Sequence, residues 1–177
     1  YAQSQGWGFE LDPGVPVLAL SRHLMGHWAA AAPTNHIVHL PPALDPRCSD
    51  PGGERDLDVL VLARKSTPYL LDRLVPALAE RCTVHVQEEF VDRAELIEMY
   101  QRSRTYLYSS APWTSGWVEG FGLQPLEARA CGCVVFTNLH GGLSDHEDPD
   151  VDAFKVEVHS LEHDLARVLA VVRGDLD

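Results

Sequence analysis

Positive charge is scarce in this chain. Its 177 residues hold 14 Lys and Arg against 26 Asp and Glu, a formal net charge of -12, and that balance repels a polyanion unless a local basic patch overrides it. No nucleic-acid partner is expected. Long hydrophobic runs are missing as well: residues 15–20 and 168–172 are among the longest, far short of the roughly 20 residues that span a bilayer. No membrane span is expected. Cysteine is limited to Cys48, Cys82, Cys131 and Cys133, which does not read as a disulfide framework in a chain this long, and Cys131-Gly132-Cys133 lacks the second pair of a zinc ribbon. Reduced thiols in the cytoplasm are the expectation, with Cys131 and Cys133 serving as small buried hydrophobes at a strand start. The chain contains no Gly-x-Ser-x-Gly elbow and no phosphate loop of the Gly-Lys-Ser type, which removes the main signatures of a hydrolase or a nucleotide triphosphatase. It begins at Tyr1 without an initiator Met or a leader pattern, and is read as a piece excised from a longer protein.

What is present is globular composition, 45% hydrophobic and 23% charged, enough for one ordinary domain. Short β-branched runs alternate with segments of helical period. The strand candidates are residues 15–21, 36–40, 58–64, 83–88, 105–110, 134–138 and 154–158; the helix candidates are residues 22–31, 68–80, 93–103, 124–131 and 161–172. The alternation predicts an α/β fold, a Rossmann-like and mostly parallel sheet with helices on both faces. Thr67 before Pro68 reads as an N-cap with Pro at the first helical position, followed by Leu70, Leu71, Leu74, Val75 and Leu78 on one face. Pro76 lies inside that pattern and is expected to kink the helix or end its regular part. Asp92, with Glu95 three residues on, resembles a capping box. Residues 41–55 are rich in Pro, Gly and Asp and have no period, so they read as a linker. Residues 1–55 are then the tail of a preceding domain plus linker, and residues 56–177 the independent domain.

The chemistry concentrates in Glu119-Gly120-Phe121-Gly122-Leu123-Gln124-Pro125-Leu126-Glu127. Gly120 and Gly122 let the backbone approach a ligand, Pro125 starts a helix, and the unpaired amides near Gly122 and Leu123 face outward. A helix start of this kind seats an anion. Glu119 on the preceding loop and Glu127 within the first turn can border the same pocket. Neither carboxylate suits a phosphate, but both accept hydrogen bonds from hydroxyls, and a phosphate seat beside two hydroxyl readers describes a nucleotide sugar.

The run from Glu119 to Gly142, EGFGLQPLEARACGCVVFTNLHGG, resembles the carboxyl-terminal donor-binding domain of retaining GT-B glycosyltransferases of the group 1 (family 4) type, in which two glutamates separated by seven residues mark the donor site. The resemblance implies one half of a GT-B fold that holds a nucleoside diphosphate sugar. It implies that Glu119 contacts the transferred sugar and supports charge at its anomeric carbon. Glu127 is implied to hold the ribose hydroxyls, and the backbone at Gly120, Phe121, Gly122 and Leu123 to meet the sugar or diphosphate. Metal-independent catalysis is implied, with cationic side chains at the end of a strand neutralising the leaving diphosphate; Lys65, and more loosely Arg64, match that position. The family commonly shows Gly-Arg, a few residues, then Lys-Gly, whereas this chain reads Ala63-Arg64-Lys65-Ser66. Because strand side chains alternate, Arg64 and Lys65 are not expected to share one site unless the strand ends between them. Backbone groups near Val91 are implied to read the base, while Phe90 reads as a core residue.

The function expected is therefore retaining hexosyl transfer from a nucleotide sugar to a glycan or lipid-linked acceptor, as in polysaccharide biosynthesis. The acceptor would bind in a missing amino-terminal domain, so this chain alone would bind nucleotide but transfer little. A non-catalytic nucleotide- or glycan-binding domain and a nucleotide-sugar epimerase of the same architecture are the alternatives. Other constellations carry less. His23 and His27 have zinc-protease spacing, but Leu24 replaces the general base. Asp145, Glu147, Asp148 and Asp150 lack calcium-loop spacing. His140 before Gly141-Gly142 either faces a phosphate or is a plain loop histidine, and Trp113 and Trp117 either stack on a sugar or pack a lid.

Overall fold

The computed structural model describes residues 11–110, 118–149 and 151–176. At the amino-terminal end a small parallel pair, strands β1 (Val17–Ala19) and β2 (Ile37–His39), is connected by helix α1 (Arg22–Ala31). Ser21 caps α1, its hydroxyl accepting from the Leu24 amide at 3.0 Å. The main sheet is built from β3 (Leu57–Leu62), β4 (Val84–Gln87), β5 (Ser103–Tyr108), β6 (Val134–Thr137) and β7 (Phe154–Lys155), all parallel, in the order β4-β3-β5-β6-β7.

Period-two alternation sends the strand side chains to two separate cores. Val59, Val61, Leu107 and Phe136 pack on one face with Leu70, Leu74 and Leu78, from helix α2 (Val75–Ala79) and the turns before it, and with Val168 and Leu169 of another helix (Leu161–Arg173). Leu60, Tyr106, Tyr108 and Val135 point the other way, against Ile97 and Tyr100 of α3 (Arg93–Arg102) and Ala128 of α4 (Leu123–Ala130); the Leu161–Arg173 helix is thus α5. The Rossmann-like α/β sheet with helices on both faces is as expected.

Several local signals act as read. Thr67 accepts from the Leu70 amide at 3.2 Å, and Asp92 accepts from the Glu95 amide at 2.9 Å. Others differ. The strand before the Arg64-Lys65 pair stops at Leu62, and Ala63–Lys65 form one 3-10 turn. Pro76 does not end its helix. The preceding residues Leu70–Leu74 widen into π turns, with the Val75 amide reaching back five residues to the Leu70 carbonyl, and the helix runs on to Ala79. A wider turn of this kind accommodates a proline that has no amide to donate.

Residues 41–55 contain no helix or strand, as a linker would, yet they are not loose. The Arg55 guanidinium, nearly buried, donates to the carbonyls of Ser103 at 2.7 Å, Gln101 at 3.1 Å and Cys131 at 2.8 Å, and pairs with Asp50 at 2.7 Å. One side chain therefore satisfies orphan carbonyls at the ends of both α3 and α4. Replacing Arg55 by Ala should cost about 2–3 kcal/mol, the scale for stripping buried acceptors of a charged donor, and urea unfolding would measure it; Arg55→Lys, a point charge without the planar fork, should recover less than half.

Candidate functional site

The site lies where strand ends meet helix starts. After β5 the chain returns at Val118, passes Glu119 and Gly120, and enters α4 through Gly122, which takes the left-handed conformation at φ +83°. A Cβ there would stand 2.2 Å from Leu143 Cδ2, so both conformation and space demand glycine. The loop is held from below by Gly142, whose amide donates to the Glu119 carbonyl at 2.8 Å and whose own Cβ position lies 2.2 Å from the Gly120 oxygen. From the amino-terminal side, the Ser21 hydroxyl donates to the Gly120 carbonyl at 2.5 Å, and Leu24 packs over Gly120. The opening predicted at Gly120 is thus partly filled by α1.

Two adjoining clefts open at this end of the sheet. The first, about 470 Å³, is bordered by Lys65, Arg93, Tyr108, Glu119, the first residues of α4 and Glu127. The second, about 360 Å³, is bordered by Arg64, Lys65, Gln87, Phe90 and Val91. They share Lys65, Leu96 and Gln124. All the sequence-derived site residues thus border one or both of these clefts. Because β3 has already ended, strand alternation does not separate Arg64 from Lys65: Arg64 borders the second cleft and Lys65 both. Phe90 is not a core residue. It is 82% exposed, an aromatic face at the rim of the second cleft beside Val91.

The two glutamates occupy different environments. Glu119 Oε2 accepts from the Tyr108 hydroxyl at 2.5 Å and lies 3.4 Å from Lys65 Nζ. Burial opposes ionisation of Glu119, but the Tyr108 hydroxyl, Lys65 and the Gly122 amide together outweigh it and hold the carboxyl below its ordinary range. Glu127 is the fifth residue of α4, one position beyond the first turn assigned to it, and has no exposed surface. Burial drives its pKa upward, and the Arg93 guanidinium, 2.6 Å from Oε1, pulls it back only in part. Apart from that ion pair, neither oxygen has a hydrogen-bond partner among the described residues. Tyr108 and Arg93 carry no motif, and their site roles were missed in the sequence; the alternation of Tyr106 and Tyr108 on β5 and the proximity of Arg93 to Val91 were the available signals.

Behind the loop, His146 is wedged between two acceptors, the Phe121 carbonyl at 2.6 Å and Glu147 at 3.1 Å. Burial disfavours its protonation, but those two acceptors prevail and raise its pKa. Glu147, itself buried, also faces Arg129 at 3.5 Å, so the apparent calcium-loop acid is a structural ion-pair member; among the described residues no cluster of His, Cys, Asp and Glu could hold a metal. Asp150, Trp113 and Trp117 lie outside the described residues. His140 pairs with the Ser110 hydroxyl at 2.6 Å, and burial lowers its pKa. His23 and His27 stack edge to face at 4.6 Å. Cys131 and Cys133 are buried, and the four cysteines are free thiols. No described helix is long and apolar enough to cross a membrane.

The model of the family Glycosyl transferases group 1 matches residues 77–172, a span that holds Val91, Arg93, Glu119 and Glu127 but not Arg64 or Lys65. No curated protein matches the chain. Among solved structures, the fold resembles that of the pneumococcal O-GlcNAc transferase GtfA, solved with UDP and GlcNAc, at TM-score 0.57 and 14% identity over 88% of this chain and 37% of that one. It also resembles sucrose-phosphate synthase from Thermosynechococcus elongatus, at TM-score 0.60 and 17% identity over 89% of this chain and 49% of that one. A third similar structure is AviGT4, a glycosyltransferase involved in avilamycin A biosynthesis, at TM-score 0.55 and 13% identity over 89% of this chain and 53% of that one. At these identities the likeness is one of fold, and this chain spans about a third to a half of those proteins.

Removing the Tyr108 hydroxyl should let the burial of Glu119 dominate. In Tyr108→Phe the Glu119 pKa is expected to rise, as read from its carboxyl carbon shift across a pH titration. The stability that Glu119 contributes is fully present above its ordinary value of 4.5 and lost as pH falls through the lower folded one; in the variant that contribution should be smaller and its loss complete at higher pH.

Proposed function

The chain belongs to the group 1 glycosyl transferases, and on that premise we propose that it is a donor-binding domain that holds a nucleoside diphosphate sugar for retaining transfer of a hexosyl group to a glycan or lipid-linked acceptor. The observation that carries this is the meeting of Glu119, Glu127, Lys65 and the amino-terminal end of α4 around one cleft. The start of a helix offers unpaired amides and the positive end of the backbone dipole to a diphosphate. Lys65 and Arg64 add cationic side chains where charge develops on the leaving group, so no metal is required by the reading. Glu119, kept ionised by Tyr108 and Lys65, accepts from sugar hydroxyls and opposes positive charge at the anomeric carbon as the bond to the diphosphate lengthens. Glu127 accepts from the ribose. The second cleft, with the Val91 backbone and the exposed ring of Phe90, receives the base.

The acceptor and the facing surface belong to chain beyond these 177 residues in this reading, consistent with relatives about twice as long or longer. Four free thiols suit a reducing compartment, and we place the protein in the cytoplasm. A non-catalytic domain was suggested by the departure at Ala63-Arg64-Lys65; that motive weakens once Arg64 and Lys65 both border the clefts.

Thermal unfolding with UDP, GDP and ADP tests the donor site. A ligand at 100 times its Kd adds about 2.7 kcal/mol, and the stabilisation by one base should vanish in Lys65→Ala and Glu127→Ala. Stabilisation that survives both substitutions would contradict this site. In the longer protein, Glu119→Gln should reduce transfer by about two to three orders of magnitude, the scale for losing one preorganised electrostatic partner, with nucleotide affinity nearly unchanged; unchanged transfer would contradict the catalytic reading.

A further inference from the structure

Glu127 presents a physical difficulty. Its carboxylate is fully buried, yet its close partner is the Arg93 guanidinium alone, paired with Oε1 at 2.6 Å; neither oxygen has a well-formed hydrogen bond among the described residues, and Oε2 has no charge partner either. A buried charge with one unmet oxygen costs stability unless something regularly fills it. Arg93 comes from the start of α3, and it borders the first cleft together with Glu119 and Glu127. Its side chain is 38% exposed, so its end has room to shift as a ligand enters.

Resting on the donor-site reading, we propose that Arg93 is the positioning residue of the ribose subsite: its guanidinium fixes one oxygen of Glu127 as an anion and keeps the other turned to a sugar hydroxyl. The groups packed around Glu127 make Arg93 the necessary counterion. Asp45, from the segment before β3, repels the carboxylate and is itself 3.5 Å from Arg93 Nε. Cys48 of the same segment, Tyr100 of α3, Tyr106 of β5 and Cys131 at the end of α4 all interact electrostatically with Glu127, and burial raises the pKa of each, so all stay neutral at ordinary pH. Arg93 is thus the positive charge in direct contact. Without it Glu127 takes up a proton far more readily. A hydroxyl arriving at Oε2 then meets a neutral acid instead of a carboxylate, and the charge-assisted hydrogen bond is lost.

The test is the pH profile of nucleotide binding by wild type, Arg93→Gln and Arg93→Lys, measured by calorimetry with UDP, GDP and ADP, with the matching 2′,3′-dideoxy nucleotide as control. Taking the variant-to-wild-type ratio at each pH cancels the ligand's own titration. Arg93→Gln should bind the ribose nucleotide at least tenfold more weakly at the acidic end of the profile, about 1.4 kcal/mol, and recover as pH rises, while Arg93→Lys restores most of the low-pH affinity. The dideoxy nucleotide should not distinguish the proteins. In parallel, the carboxyl carbon of Glu127 should titrate at higher pH in Arg93→Gln than in wild type. A ratio that is flat with pH, or a loss equal for ribose and dideoxy nucleotides, overturns the positioning role while leaving the donor site standing. Wild type that binds none of the three nucleotides overturns the donor-site reading and the ribose role with it, even if the Glu127 titration moves.

Discussion

The turn at Gly122 is the constraint on which the site depends. A left-handed residue pressed against Leu143 converts the loop after β5 into α4, and it fixes where two carboxylates eight positions apart end up. Glu119 stays on the loop, facing Lys65 and Tyr108. Glu127 is carried just past the first turn of the helix into the core, to be met by Arg93. Gly142 secures the geometry from beneath by giving its amide to Glu119 and leaving no room for a side chain.

From that turn follows a division of labour between two chemically identical groups. Donors surround Glu119, which is held below its ordinary pKa and is partly accessible at the cleft. Burial dominates Glu127 and raises its pKa, and its guanidinium partner pulls that back only in part. Environment separates the two carboxylates, as it does wherever one residue type serves two tasks in a site. The same logic reconciles a chain of net charge -12 with a proposed polyphosphate ligand. Its scarce cations are placed where they matter, with Lys65 and Arg64 at the end of β3 and Arg93 at the start of α3.

Much of this was legible in sequence because it is local. Alternating apolar runs gave the sheet and its two cores, Thr67 and Asp92 gave helix starts, and the glutamate pair around Gly120 and Gly122 gave the strand-end site. What escaped depends on contacts across the chain. Phe90 reads as core by hydrophobicity, but it is left 82% exposed at the rim. The disturbance expected at Pro76 is there, but its form, π turns over Leu70–Leu74 with the helix continuing to Ala79, was not legible. Arg64 and Lys65 seemed mutually exclusive only on the assumption that β3 continues; a single 3-10 turn removes the alternation. Tyr108 and Arg93 look like a strand aromatic and a surface charge, and residues 41–55 like a tether. Their roles arise from partners 11, 34 and up to 76 positions away.

The most direct test is an amide chemical-shift map of the chain titrated with UDP, GDP and ADP. The account predicts saturable shifts with one base, concentrated at Val91, Gly122, Leu123 and Glu127 and fading toward the β1-α1-β2 unit. Shifts clustered elsewhere, on α1 around His23 and His27 or along α5, or saturation that leaves Gly122 and Leu123 unmoved, would contradict it.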